Sequence, residues 1–134
     1  MTPANLDKMP VRNSGDILLV RQTVRARAVE LGFTLVDQTK IITAASELAR
    51  NTVDYGGGGI VLFETLNDGA RRGLRLTFED HGPGIPDIQL ALKDGWTSGG
   101  GLGLGLSGAK RLVNEFHIES KVGAGTKVVI TRWK

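Results

Sequence analysis

The placement of glycine is the feature of this sequence that most limits its possible folds. The chain of 134 residues contains 19 glycines, about twice the usual share for a globular protein. Eleven of the 19 lie in two short segments, Gly56 to Gly59 and Gly95 to Gly108. Glycine tolerates left-handed backbone and the close approach of other groups. The clustering therefore predicts two specialised loops rather than general flexibility.

The composition is that of a chain that can bury a core. It is 40% hydrophobic and 23% charged, far from the range of disordered proteins. A net charge of +3 with only 5% aromatic residues does not favour nucleic-acid binding. The absence of cysteine excludes disulfides and thiolate metal sites and fits a reducing compartment. With no apolar stretch long enough for a membrane span, we expect one domain over residues 1–134, cytoplasmic and without nucleic-acid or membrane partners.

Hydrophobic periodicity and turn residues predict the element order β-α-α-β-β-α-α-β-β. The predicted fold class is α+β, a two-layer sandwich with helices on one face of a mixed, mostly antiparallel sheet. The predicted strands cover residues 11–13, 60–66, 74–79, 116–122 and 127–133, and the predicted helices cover 14–31, about 36–55, 87–93 and about 106–115.

The second predicted helix carries the first polar group, Glu47, Asn51 and Asp54. Their spacing of four and three residues places them along one line of the helix. The carboxylate of Glu47 could act as a general base, and the carboxamide oxygen of Asn51 could be a ligand of Mg²⁺. Taken alone, the pattern is more typical of a solvated helix face.

The second polar group follows a predicted strand and reads Asp80-His-Gly82-Pro-Gly84-Ile85. Gly82 and Gly84 would let a ligand approach the backbone, and Asp80 could accept a hydrogen bond from an exocyclic amine. An ordinary turn that ends the strand explains the same residues.

The third group, Ser98 to Leu106, holds five glycines in the seven residues Gly99 to Gly105 and leads into a helix. Successive backbone N–H groups at a helix N-terminus can bind phosphate oxygens. The segment contains a G-x-G-x-x-G pattern from Gly103, but no predicted strand precedes it and only 26 residues follow Gly108, so a dinucleotide-binding fold is excluded. Ala109 follows Gly108, whereas a Walker A loop needs Lys there.

Taken together and in this order, the three groups resemble the N, G1 and G2 boxes of the GHKL (Bergerat-fold) ATPase and kinase superfamily, and Gly123-Ala-Gly125-Thr126 resembles its G3 box. The segments Ser46 to Asn51 and Asp80 to Asp87 look like those of the RsbT-like serine/threonine kinases of the stressosome. The anti-sigma factor kinases RsbW and SpoIIAB are the nearest relatives of that group.

The resemblance implies ATP and Mg²⁺ as cofactors and a role for each matching residue. Glu47 would be the catalytic base and Asn51 would contact ATP and hold Mg²⁺. Asp80 would bind the adenine amine with support from Thr126. The remaining ATP contacts would be made by Gly82, Gly84 and Ile85 around the base, and by Gly99, Gly100, Gly101, Leu102, Gly103, Leu104 and Gly105 around the phosphates.

The implied partners are STAS-domain substrate and scaffold proteins, RsbS-like and RsbR-like, followed by a PP2C-type phosphatase or another output protein. Two alternatives stay open: an anti-sigma factor kinase that binds a sigma factor directly, and a binding module gated by nucleotide without catalysis. Trp96, within the glycine-rich segment, could either pack inside or form part of a docking patch.

Overall fold

The computed structural model describes residues 3–92 and 102–134. The predicted order of elements is confirmed, and most boundaries agree within two residues. The elements are β1 (Pro3–Val11), α1 (Ser14–Glu30), α2 (Leu35–Asp54), β2 (Gly59–Asn67), β3 (Arg72–Asp80), α3 (Ile88–Ala91), α4 (Leu102–Arg111), β4 (Glu115–Lys121) and β5 (Gly125–Trp133).

The first strand runs from Pro3 to Val11, so it is longer than the short strand predicted to close over residues 11–13 and ends at the first of those residues. Pro3 and Pro10 argue against a strand in the sequence because proline cannot donate to a ladder. The sheet order β1-β2-β3-β5-β4 places β1 at an edge, where one side of the strand needs no ladder partner. The prolines are therefore compatible with the strand.

The two long helices begin and end where their side chains predict. Asn13 caps α1 by accepting a hydrogen bond from the backbone N–H of Asp16 at 3.0 Å, and Thr34 caps α2 by accepting one from Asp37 at 3.1 Å. Gly32, with φ of +82°, ends α1, since a left-handed residue directs the chain out of the helix. The two helices pack against each other and return the chain to its starting end.

All four ladders of the sheet are antiparallel, so the parallel pairing of a mixed sheet does not occur among the described strands. The α1–α2 hairpin explains the first part of this result. It brings the chain back to the end where β1 finished, so β2 runs in the opposite direction to β1. Strands β3 and β4 do run in the same direction, but β5 lies between them.

One face of the sheet packs against the helices, and the side chains alternate accordingly. Leu74, Leu76 and Phe78 of β3 and Val128 and Ile130 of β5 are buried. The period of two continues along both strands, so Asp80 and Thr126 point to the same helix-covered face at its rim. Across the described ranges, no helix is long and apolar enough to cross a membrane.

Candidate active site

A cleft opens where strands β3 and β5 meet the C-terminal half of α2. Asp80 and Thr126 are directly opposite each other in the β3–β5 ladder, and Asn51 faces them from α2. The innermost part of the cleft is narrow, with a volume of about 20 Å³, room for roughly one water. The cleft is lined by Leu48, Asn51, Thr52, Tyr55, Phe78, Asp80, Ile85, Leu106, Thr126 and Val128.

Asp80 is half-buried and its carboxylate is held in place by the following loop. The backbone N–H of Gly82 donates to Asp80 Oδ1 at 2.9 Å. A carboxylate has about four acceptor positions, so Asp80 can accept further hydrogen bonds within the cleft. This placement leaves Asp80 able to accept the hydrogen bond from an exocyclic amine that the sequence predicts for it, and that role stays a prediction.

Glycines surround Asp80 because the backbone of three segments converges there. A Cβ on Gly56 would lie 2.4 Å from Asp80 Cγ, and one on Gly82 would lie 2.7 Å from the Cα of Gly56. One on Gly125 would lie 2.0 Å from the carbonyl oxygen of Asp80. The close approach of Gly56 to Asp80 was not predicted from the sequence, because the cluster Gly56 to Gly59 indicates only that α2 ends there.

Ser120 is a second functional candidate that the sequence reasoning missed. Its hydroxyl lies 2.7 Å from Thr126 Oγ1, and the backbone N–H of Ile85 donates to Ser120 Oγ at 2.7 Å. Ser120 thus links the loop after β3 to the start of β5. The alternation along β4, which places Phe116, Ile118 and Ser120 on one face, is the signal that could have found it.

Asn51 presents an amide nitrogen, Nδ2, that is buried without a hydrogen-bond partner in the described part of the chain. The carboxamide can supply one oxygen ligand, and no group of three or more His, Asp or Glu able to bind a metal occurs in residues 3–92 and 102–134. This donor set fits Mg²⁺ arriving with a nucleotide, because Mg²⁺ commonly takes one or two side chains together with phosphates and water.

Glu47 lies one turn before Asn51 on α2 and is half-buried. In the described part of the chain it has no hydrogen bond or ion pair, so its carboxylate oxygens remain available. At about 100° per residue, Asn51 is roughly 40° from Glu47 in one direction and Arg50 is roughly 60° from it in the other. Glu47 therefore lies between two different surfaces of the helix.

The surface on the Arg50 side is a groove between α1 and α2. Asp54, which the sequence places in line with Glu47 and Asn51, lies in this groove and is exposed. It does not line the cleft, because the three-residue step from Asn51 rotates it away. The groove is lined by Ser14, Ile17, Leu18, Arg21, Ser46, Arg50 and Asp54.

The glycine-rich segment differs from the predicted phosphate-binding loop. Helix α4 begins at Leu102 instead of near Leu106, so Leu102 to Gly105 form its first turn. Two glycines in that turn lower helix propensity, which is why the sequence pattern favours a loop. Gly99, Gly100, Gly101 and Trp96 lie outside the described residues. Leu106 and Ala109 are buried and attach α4 to the core.

Comparison with known proteins agrees with this geometry. Residues 36–134 match the family model for "Histidine kinase-, DNA gyrase B-, and HSP90-like ATPase", the superfamily that the four motifs resemble. The serine/threonine-protein kinase RsbT of Bacillus subtilis (strain 168) is 48% identical over 118 residues, which cover 88% of this chain and 89% of RsbT.

More distant relatives have the same fold. The anti-sigma F factor of Anoxybacillus flavithermus is 31% identical over 84% of this chain and 80% of its own length. The crystal structure of the RsbU and RsbW domains of Rv1364c from Mycobacterium tuberculosis superposes with a TM-score of 0.66 at 22% identity, covering 99% of this chain and 34% of that one. The chain therefore belongs to the histidine kinase-, DNA gyrase B- and HSP90-like ATPase family, and within it is a homologue of RsbT.

Proposed function

We propose that the chain is an ATP- and Mg²⁺-dependent protein serine/threonine kinase whose substrates are STAS-domain proteins. The feature that carries the proposal is the angular position of Glu47 on α2, between Asn51 on the side of the cleft and Arg50 on the side of the α1–α2 groove. A kinase must hold the nucleotide on one side of its catalytic base and the hydroxyl of the protein substrate on the other side. The identity with RsbT, a serine/threonine-protein kinase, supports this activity.

The cleft would bind both the adenine base and the phosphate groups of ATP. Asp80 would accept a hydrogen bond from the adenine amine, Thr126 would support that contact, and Ile85 with Gly82 and Gly84 would enclose the base. Gly99 to Gly105 would surround the phosphates. Asn51 would contact ATP and hold Mg²⁺, which when bound neutralises phosphate charge and orients the γ-phosphoryl group.

Glu47 would remove the proton from the serine or threonine hydroxyl as its oxygen attacks the γ-phosphorus. The new oxygen–phosphorus bond forms as the bond to the bridging β–γ oxygen breaks, and ADP leaves. A positioned base of this kind contributes about 10²- to 10⁴-fold to the rate. The remaining demand on the protein is positioning and charge neutralisation.

The groove beside Glu47 provides a surface for the protein substrate. Leu18, with 56% of its surface exposed, lies there with the cations Arg21 and Arg50. An apolar side chain flanked by positive charge would suit an acidic surface on the partner. We expect the chain to act on RsbS-like and RsbR-like partners and then on a PP2C-type phosphatase or another output protein. It would thus be a cytoplasmic switch that consists of one kinase domain.

The experiment is transfer of labelled γ-phosphate from Mg-ATP to a purified STAS-domain protein of the same genome. We expect Glu47→Gln to lower transfer by about 10²-fold or more while ATP still binds, and Asn51→Ala to weaken Mg-ATP binding itself. Glu30→Gln is the matched control, because this exposed carboxylate is at the opposite end of α1 from the groove. Its transfer rate should equal that of the wild type.

Transfer by Glu47→Gln at the wild-type rate would contradict the role of the base. If the wild type bound ATP and labelled no STAS protein, the chain would instead be a nucleotide-gated binding module. The 31% identity of this chain with an anti-sigma F factor supports a second candidate function, that of a kinase that also binds a sigma factor directly. A pull-down that recovers a sigma factor instead of STAS proteins would favour that candidate.

A further inference from the structure

Strand β4 forms one edge of the sheet, and its outer side has no partner strand in residues 3–92 and 102–134. It is last in the order β1-β2-β3-β5-β4 and, within those residues, pairs only with β5. The opposite edge, β1, contains Pro3 and Pro10, which cannot donate to a further ladder. Strand β4 contains neither proline nor glycine. Of the two edges, β4 is therefore the one whose backbone can better accept another strand.

The open face of β4 carries acidic and basic side chains. Ile118 is opposite Val128 of β5, a buried residue of the helix-covered face. Because successive side chains alternate, the opposite, open face carries Glu115, His117, Glu119 and Lys121. Charges on an edge strand commonly prevent pairing with other chains. On β4, however, the acidic and basic groups occur in an order that is complementary to itself.

Two copies of β4 can pair antiparallel about a two-fold axis normal to the sheet. Opposite residues of such a ladder point to the same face, so the axis must pass through a residue of β4. Ile118 is the middle residue of the strand, and an axis there pairs all seven residues. Glu115 then lies opposite Lys121 of the second copy, and His117 lies opposite Glu119 of the second copy. By symmetry each of these pairs occurs twice.

Neighbouring registers lose this complementarity. An axis through His117 pairs only residues 115–119 of each strand and places Glu115 opposite Glu119. An axis through Glu119 places that carboxylate opposite its own copy. Like charges directly opposite each other destabilise a sheet, whereas opposite charges stabilise it. The register centred on Ile118 is thus favoured both by the length of strand that it pairs and by charge.

We infer that the chain self-associates through β4, so that two copies form one ten-stranded sheet whose two-fold axis passes through Ile118. Within one copy, Lys127 is opposite both Glu79 and Glu119. This alternating row would continue across the junction, because Glu119 would face His117 of the second copy. An axis normal to the sheet leaves both helix layers on the same side. The two α1–α2 grooves would therefore face the same side of the dimer.

The test exchanges charges between the two strands. Glu115→Lys and Lys121→Glu should each weaken self-association of the full chain roughly tenfold or more, because like charges would then be opposite each other. In an equimolar mixture, a strand with two positive ends meets a strand with two negative ends, and association should return to about the wild-type level. Analytical ultracentrifugation from about 10 µM to about 1 mM measures each case.

Lys8→Glu is the matched control, because Lys8 is an exposed lysine on the other edge strand and its replacement changes the net charge equally. Self-association should be unchanged. Glu115 Oε2 accepts a hydrogen bond from Trp133 Nε1, so Glu115→Lys can lower stability. The exposed pair His117→Glu and Glu119→Lys is a second exchange that covers a failure of that variant to fold. A mixture of these two variants should associate more strongly than either alone.

A cysteine at the axis tests the register directly. The chain has no cysteine, and in Ile118→Cys the two thiols would be opposite each other. Their Cα atoms would be about 4.5–5.5 Å apart, within the range of a disulfide. In His117→Cys the corresponding Cα atoms would be about 8 Å apart, too far for a disulfide. Mild oxidation should therefore link Ile118→Cys into a dimer and leave His117→Cys mostly unlinked.

A wild type that stays monomeric up to about 1 mM would overturn the inference and leave β4 an edge that its charges protect or that pairs with a strand of another protein. Mixtures that associate no better than the single variants would also overturn it, as would equal cross-linking of the two cysteine variants. None of these measurements uses a nucleotide or a protein substrate. Their outcome is therefore independent of the proposed kinase activity.

Discussion

The two ends of the sheet are built in different ways. The cleft end, where β3, β4 and β5 reach Asp80, Lys121 and Gly125, is held by backbone contacts that only glycine allows. The far end, where the same strands reach Arg72, Glu115 and Trp133, is held by side chains. Both ends are tightly packed, but their tolerance of substitution should differ.

At the cleft end, a Cβ added to Gly82, Gly84 or Gly125 would meet backbone atoms that cannot easily move. The Cβ of an alanine at position 84 would be 2.2 Å from the carbonyl oxygen of Lys121, in addition to the left-handed φ of +80° at that residue. The Lys121 backbone is held by the β4–β5 ladder. The arrangement keeps Asp80 and its neighbours close enough to share one small cleft.

At the far end, the indole of Trp133 provides the main contact. Its Nε1 donates to Glu115 Oε2 at 2.6 Å, and the guanidinium carbon of Arg71 lies 3.8 Å from the ring centroid. Gly73 accommodates the ring, since its Cβ would lie 2.6 Å from Trp133 Cε3. Side chains such as these can shift at modest cost. The far end therefore supplies stability without constraining the cleft.

The largest expected effect is that of Gly125→Ala, with Gly123→Ala as its control in the same turn. Both residues have left-handed φ, +99° and +82°, but a Cβ at Gly123 meets open space. We expect Gly125→Ala to lower the free energy of unfolding by about 3 kcal/mol or more, and Gly123→Ala by about 1 kcal/mol. Urea unfolding followed by circular dichroism measures both. Equal losses would show that the close approach to Asp80 is not a constraint.

The next largest effects are those of two variants, one that should change ATP affinity and one that should change stability. Gly56→Ala should displace the Asp80 carboxylate and weaken ATP binding roughly tenfold or more, with a smaller change in stability. Gly73→Ala should do the opposite. It should lower stability by about 1 to 3 kcal/mol through the crowded Trp133 ring, with ATP affinity unchanged well below its Tm.

Calorimetric titration with ATP and thermal unfolding of both variants provide the check on this pair. The comparison of the two ends would fail if Gly73→Ala weakened ATP binding as much as Gly56→Ala did. It would also fail if Gly56→Ala left ATP affinity at the wild-type value.

Local patterns were enough to predict most of the fold and the residues of α2 and β3 that line the cleft. The caps Asn13 and Thr34 and the left-handed Gly32 depend only on neighbouring residues. The three- and four-residue steps of α2 correctly placed Asn51 beside the core. Asp54 lies about 20° from Glu47 on that line but about 60° back from Asn51, so it reaches the α1–α2 groove instead of the cleft.

Contacts between distant segments could not be predicted in this way. Gly56 and Asp80 meet through tertiary packing of the α2 end on the sheet, which no local period encodes. Ser120 is hydrogen-bonded to Ile85, 35 residues away. A hydrophobic pattern predicts where strands occur and which face of each strand is buried, but not which strands are neighbours. The position of β5 between β3 and β4 could therefore not be predicted from it.

The smallest effect concerns the ion pair that joins α2 to β5, Arg132 Nη2 with Asp37 Oδ1 at 2.6 Å. The hydrogen bond from Arg132 holds the pKa of Asp37 below its ordinary value of 3.8, and partial burial opposes this shift. A lowered pKa in the folded state means that the contribution is fully present above the ordinary pKa. It is lost as the pH falls through the lower, folded-state value.

We therefore expect Asp37→Asn to lower the free energy of unfolding by about 1 kcal/mol at pH 7, since the pair is partly exposed. The difference from the wild type should shrink steadily below about pH 4. Urea unfolding across this pH range measures the difference, and the same substitution in an Arg132→Met background should have little effect. ATP affinity at pH 7 should remain at the wild-type value, because the pair stabilises the fold away from Asp80. A loss of ATP affinity in Asp37→Asn would show that α2 transmits changes at its first turn to Asn51.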